Sequence, residues 1–310
     1  MSELLDLIHA TVRLEQVQSD GAGAVGTGFV VVAPDPDGRP RTLLITAQHV
    51  FARMPRDKVK VGFRVADEAG DWRYAPVSIR IRGPEGEPLW TAHPIQDVAA
   101  IPLPSGVARA AVAASQLATG KTLATLAVAP GDEMMVLGYP QGFSANAAGF
   151  PIVRVGRVAS YPLAPPARYP TYLLDFSVFA GNSGGPVYVV RSLNGRAPDI
   201  VVTGLLTEEL RLKHSRLEIG NVTHAAYIAE TLSLVDSPPA EVTPTGGVLP
   251  QADPRPAASG PDPSALDRLR EGWDAVVTDV AVLVRRAWIV VKQSVLAWIT
   301  PEPRRLDPGR

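Results

Sequence analysis

The stretch that decides the fold is Phe179-Ala180-Gly181-Asn182-Ser183-Gly184-Gly185-Pro186-Val187-Tyr188-Val189-Val190. Glycines on both sides of one serine let the backbone turn tightly and expose the hydroxyl. Consecutive N–H groups in such a turn can converge on one point. The segment after the turn separates two architectures. In a G-x-S-x-G elbow of an alternating α/β fold, a helix comes directly after the serine, and the acid and histidine come later in the chain. Asp199 with His214 or His224 satisfies that order. Residues 186–190, however, read as a strand, and no helical patterns separate the strands elsewhere. The serine turn therefore points to an all-β protein.

Working outward, short apolar runs recur between turn signals. Residues 26–33 (GTGFVVVA) and 43–46 read as buried strands, with the Pro34–Gly38 turn between them. Residues 11–18, 59–65, 78–82 and 98–103 continue the series. An Ala-rich connector covers 105–120. A second set comes at 134–137, 153–158, 172–176, 186–190 and 200–206, and residues 223–234 read as a closing helix. Two sets of strands predict two six-stranded antiparallel β-barrels, over about 1–118 and 119–236, with a cleft between them.

Beyond residue 236 the character changes. Residues 237–263 are Pro-rich and read as an extended linker. Residues 264–300 predict an amphipathic α-helix: Leu266, Trp273, Val280 and Ala287 recur at heptad spacing, as do Leu269, Val276, Leu283 and Val290. Pro301 stops it, leaving 301–310 as a tail. Asp279, Arg285, Arg286 and Lys292 interrupt the apolar run short of the ~20 residues a membrane span needs. The helix is expected to dock or self-associate through its stripe, or to bind a partner protein. Trp273, Trp288 and Trp298 beside its basic residues also permit a membrane-surface role.

The chain has 310 residues with 46% hydrophobic, enough for a sizeable core. A formal net charge of -1 gives no global reason to bind nucleic acid. The absence of cysteine removes disulfides, thiol nucleophiles and thiolate metal sites together. With no basic leader readable in residues 1–10, the expected location is the cytoplasm, with membrane-peripheral attachment left open. No histidine pair has metal-ligand spacing, so neither metal nor other cofactor is expected.

A serine hydroxyl is a weak nucleophile near neutral pH and needs an adjacent base, itself oriented by an acid. The histidines are His9, His49, His93, His214 and His224. His49 comes just after the strand at 43–46, so a strand end would hold it at a cleft rim. Asp97 directly precedes the apolar strand at 98–103, which suits a buried acid holding an imidazole. The order His49, Asp97, Ser183 is that of the triad on chymotrypsin-type barrels.

The sequence thus resembles the trypsin-like serine peptidases of the chymotrypsin fold, closest to the bacterial, cysteine-free HtrA-type branch. The matching pieces are GTGFVV (26–31), LLITAQHV (43–50), DVAAIPL (97–103), GYPQG (138–142) and FAGNSGGPV (179–187). The resemblance implies a serine endopeptidase acting on proteins or peptides. It makes His49 the general base, Asp97 its orienting acid and Ser183 the nucleophile, with the N–H groups of Gly181 and Ser183 as oxyanion hole. Ser177 would lie at the floor of the primary pocket. Thr203, Gly204 and Leu205 would form the substrate-binding wall, favouring a small or apolar residue at the cut. Two departures stand out: Gln48 replaces a small residue, and no PDZ-like module comes after the peptidase. Asn182 in place of Asp argues against activation by a newly cut N-terminus. Asp175 is expected to be a hydrogen-bonded structural carboxylate. The alternative to an active peptidase is a silent or partner-activated scaffold that works through its C-terminal helix.

Overall fold

The structure, a computed structural model, describes residues 2–17, 23–191, 199–212, 215–236 and 238–244. The chain divides into two units, Met1–Gly247 and Val248–Arg310. The helix expected at 264–300, the tail, most of the Pro-rich segment and His214 lie outside the described residues.

The N-terminal half contains β1 (Thr11–Val17), β2 (Gly23–Pro34), β3 (Pro40–Thr46), β4 (Lys58–Ala66), β5 (Trp72–Arg80), β6 (Thr91–Ala92), β7 (Ala99–Leu103) and β8 (Val112–Ala113). The C-terminal half contains β9 (Glu133–Gly138), β10 (Ile152–Val158), β11 (Thr171–Asp175), β12 (Pro186–Arg191), β13 (Asp199–Leu212) and β14 (Ser215–His224). A last strand, β15 (Val242–Pro244), returns to the N-terminal half. Four α-helices, α1 (Ser2–Ala10), α2 (Gln48–Ala52), α3 (Gly120–Thr125) and α4 (Ala225–Leu234), and two short 3-10 turns at Ala114–Gln116 and Pro140–Gly142 lie among the described residues.

The second half is the barrel that the strand pattern predicts. Its six strands close in the order β10-β11-β14-β13-β12-β9, with β9 pairing back to β10. The serine turn indeed leads into a strand, β12, whose Val187, Tyr188 and Val189 are buried.

The first half departs from expectation. Its nine strands form a curled sheet in the order β15-β5-β4-β1-β2-β3-β7-β6, with β8 parallel to β2, and the sheet does not close. One edge strand, β6, is only two residues long. The other edge, beside β5, is occupied by β15, which pairs Val242 with Ile79 and Pro244 with Val77. A proline is tolerated at such an edge because its missing N–H is not required there. Residues 242–244, inside the stretch read as an extended linker, are thus docked on the sheet.

Residues 2–10 form α1 because Leu4, Leu7 and Ile8 make a stripe at helical spacing, with Leu7 fully buried. Arg64 then ties this helix to both halves. Its guanidinium donates to the Tyr139 hydroxyl (2.9 Å) and to the carbonyls of Gly149 (2.9 Å), His9 (2.6 Å) and Thr11 (2.6 Å). The side chain is buried and faces neutral acceptors. Burial pushes the Tyr139 phenol up to about 12, so it remains a donor to Thr11 and Gly149. Removing the guanidinium orphans several buried carbonyls at once. Arg64→Met is expected to lower stability by at least about 2 kcal/mol in urea titration; a loss below about 0.5 kcal/mol would mean that the carbonyls find other donors.

Candidate active site

Strand pairing brings His49 and Asp97 together. β3 and β7 run antiparallel, with Thr46 opposite Ala99. The chain leaving β3 therefore enters α2 beside the loop that enters β7. α2 has Ala47 at its N-cap and no side-chain cap of its own. Asp97 takes that role from across the sheet. Its Oδ1 accepts the His49 backbone N–H at 2.9 Å, and its Oδ2 lies 2.6 Å from His49 Nδ1. An ionised carboxylate only accepts, so Nδ1 carries the proton and Nε2 of the neutral ring keeps its lone pair. Burial alone would push the Asp97 carboxyl up. The His49 side-chain hydrogen bond, the His49 charge and the N–H groups of His49 and Gln48 outweigh it and hold the carboxyl below its ordinary value.

The serine turn lies against the same strand end. Gly184 N–H donates to Leu206 O (2.7 Å), and Leu206 N–H donates back to Gly185 O (2.9 Å). Gly184 has φ +89, and a Cβ there would stand 2.0 Å from Thr27 O and 2.2 Å from Thr46 Oγ1. Only glycine fits so close to two segments of the N-terminal sheet. Thr27 itself is fully buried and holds four pieces. Its N–H donates to Ser183 O (2.9 Å) and its hydroxyl donates to Gly181 O (2.6 Å). That hydroxyl accepts from Tyr139 N–H (3.1 Å), and its carbonyl accepts from Thr46 Oγ1 (2.7 Å). Nothing in the strand pattern singled out Thr27; its position inside GTGF was the one available signal.

The turn presents two unclaimed donors. Asn182, Gly184 and Gly185 N–H groups donate to Phe179, Leu206 and Asn182 carbonyls. Among the described residues, the N–H groups of Gly181 and Ser183 have no acceptor. Gly181 has φ +95, and the Ala180 carbonyl before it is turned away to accept from Gln141 N–H (2.6 Å). Ser183 Oγ likewise has no hydrogen-bond partner among the described residues, so its link to His49 Nε2 is open here. Such links commonly tighten only when substrate binds.

The remaining expected site residues divide. Ser177 lies at the turn before the serine, and its carbonyl accepts from Arg154 Nη1 (2.5 Å). The Arg154 guanidinium sits 5.3 Å from the Phe176 ring centroid and 5.2 Å from that of Phe179. Gly220 faces Phe176, Leu206 and Val178. Thr203, Gly204 and Leu205 do not line a cleft. Thr203 and Leu205 are fully buried, and Gly204 pairs with both Val187 and His224. With both strand edges already hydrogen-bonded, this stretch is barrel wall. The open edge of β13 starts further on: beyond Leu206 no strand among the described residues pairs on the serine side, while Glu208 and Glu209 still pair with Asn221 and Gly220.

Among the described residues, the other histidines have their own contacts. His9 stacks with Trp72 and Phe150. His224 is buried against Tyr172, and burial pushes its pKa down to about 4. Asp175 is exposed, with no side-chain hydrogen bond among the described residues. It is a strand-end carboxylate and not the hydrogen-bonded one expected.

Because folding lowers the Asp97 pKa, its contribution to stability is present above the unfolded-state value and is lost as pH falls through the folded-state value. Asp97→Asn is therefore expected to be less stable than the parent at neutral pH, with the difference shrinking under acid. Urea midpoints of the two proteins at pH 7 and pH 3 test this; a pH-independent difference would contradict the assigned partners.

The sequence profile of the family described as "Trypsin-like peptidase domain" matches residues 26–192. No curated protein matches the chain. Among solved structures, the HtrA-type protease AlgW with a decapeptide is similar at 15% identity and a TM-score of 0.43, covering 75% of this chain and 66% of that one. A thermostable serine protease, AL20, from an extremophilic microorganism is similar at 12% identity and a TM-score of 0.43, covering 74% of this chain and 99% of that one. The chain thus spans just under two thirds of the AlgW chain. With a closed antiparallel barrel behind the serine turn and a curled sheet carrying His49 and Asp97, this chain belongs to the trypsin-like peptidase domain family.

Proposed function

We propose that this chain is a serine endopeptidase working through His49, Asp97 and Ser183. One observation carries the reading most: the 2.6 Å contact of His49 Nδ1 with Asp97, beside a serine turn with two unclaimed N–H groups. In this reading Ser183 Oγ attacks the substrate carbonyl carbon as His49 Nε2 takes the hydroxyl proton. The carbonyl electrons move to oxygen, and the N–H groups of Gly181 and Ser183 stabilise that oxyanion. One such donor is worth about 3 kcal/mol of the barrier. Collapse of the intermediate breaks the C–N bond, and His49 returns its proton to the leaving amine. Water, deprotonated by His49, then cleaves the serine ester. Asp97 holds the imidazole tautomer and stabilises the imidazolium.

The open edge of β13 from Thr207 suits an extended peptide that adds its backbone to the sheet. The surroundings of Ser177 suit a small or apolar side chain, since Phe176, Val178 and Gly220 lie there and the nearby charge, Arg154, is positive. A second reading, a scaffold silent until a partner closes the cleft, is favoured by the open link between Ser183 and His49.

A fluorophosphonate probe is expected to label the wild-type protein at Ser183 and to leave Ser183→Ala unlabelled. Labelling that survives the substitution refutes the nucleophile; absence of labelling in the wild type favours the scaffold. Peptide-library digestion is expected to cut after small or apolar residues. Dominant cutting after Arg or Lys contradicts the pocket assignment.

A further inference from the structure

We propose that His93 is a positioning residue for Asp97, acting through the ring nitrogen around which the Asp97 loop is wrapped. The proposal rests on the peptidase function and adds a residue to it. His93 comes directly after the two-residue edge strand β6 and is buried. Its Nδ1 accepts the N–H groups of Ile95 (3.2 Å) and Gln96 (3.0 Å), and its own N–H donates to Val98 O (2.9 Å). Val98 N–H then donates to Gln96 O (2.8 Å). The loop from 93 to 98 is closed by these bonds, and Asp97 is at its turn. On its outer side Ile95 is 78% exposed, so the loop's support comes from the ring inside it.

Two amide donors aimed at Nδ1 require a lone pair there. The neutral ring therefore carries its proton on Nε2, which donates to Glu230 Oε2 on α4 at 3.2 Å. The groups facing this ring are Glu230 and Tyr227 of α4, the latter edge-on at 5.2 Å. When the acceptor at Nδ1 is removed, both amides lose their partner at once. The loop then opens, and Asp97 leaves the backbone and ring N–H groups of His49.

The test compares His93→Asn, whose side-chain oxygen can accept both amides without titrating, with His93→Leu, which cannot accept. Rates of fluorophosphonate labelling are measured at pH 8. His93→Asn is expected to keep its rate within about threefold of the wild type, because its amide oxygen replaces the ring acceptor. His93→Leu is expected to fall on the order of 10²-fold at pH 8, as misplacement of a catalytic group does. Proton NMR gives a readout independent of turnover: the deshielded Nδ1 proton of His49 should persist at pH 8 in His93→Asn and vanish in His93→Leu. Loss of that proton in a folded His93→Asn, or its retention in a folded His93→Leu, overturns the proposal. If the wild type never reacts but the proton shows this pattern, the positioning role stands and the peptidase reading fails.

Discussion

One buried threonine sets the relation between the two halves of the cleft. The Thr27 backbone holds Ser183 and Thr46, and its hydroxyl holds Gly181 and Tyr139. These contacts join the serine turn, the end of β9 and the end of β3 at one fully buried point. Water cannot compete for hydrogen bonds there, so the geometry is held more firmly than the same bonds would hold it at the surface. Gly181 and Gly184 are the complement of this clamp. Any Cβ at Gly184 would strike the Thr27 carbonyl, and one at Gly181 would come within 2.3 Å of Tyr139 O.

The acid arm shows the same economy of parts. Asp97 caps a five-residue helix that has no cap of its own and in the same contact selects the imidazole tautomer. Local folding and proton chemistry are therefore one interaction and not two. Behind it stands a chain of neutral and charged partners running from Glu230 through His93 to the loop that carries Asp97. The His49–Asp97 pair is thereby tied to α4, an element from late in the described chain.

Legible in the sequence was whatever chemistry forces into a short motif. A serine between glycines, a histidine past a buried strand and an aspartate ahead of another could each be located, because each depends on residues within a few positions. The expectation for Thr203 to Leu205 went astray for a physical reason. Whether a strand offers a free edge depends on where its neighbour stops, and β12 begins at Pro186, opposite Leu205. The edge of the first sheet was illegible for a similar reason. Its edge partner, residues 242–244, sits among prolines that locally read as a linker, and its pairing with β5 spans more than half of the described chain. Arg64 gave no local signal at all, since a surface arginine and one buried among carbonyls look alike in sequence.

By itself, then, the sequence determined the kind of fold, since alternating strands and glycine-flanked turns are local constraints on the backbone. Tertiary structure decided which edges stay open, which donors remain unclaimed and which buried polar groups hold the serine turn in place. Those properties depend on which distant segment arrives as a neighbour, and hydrogen-bond satisfaction is settled only when all of them have arrived.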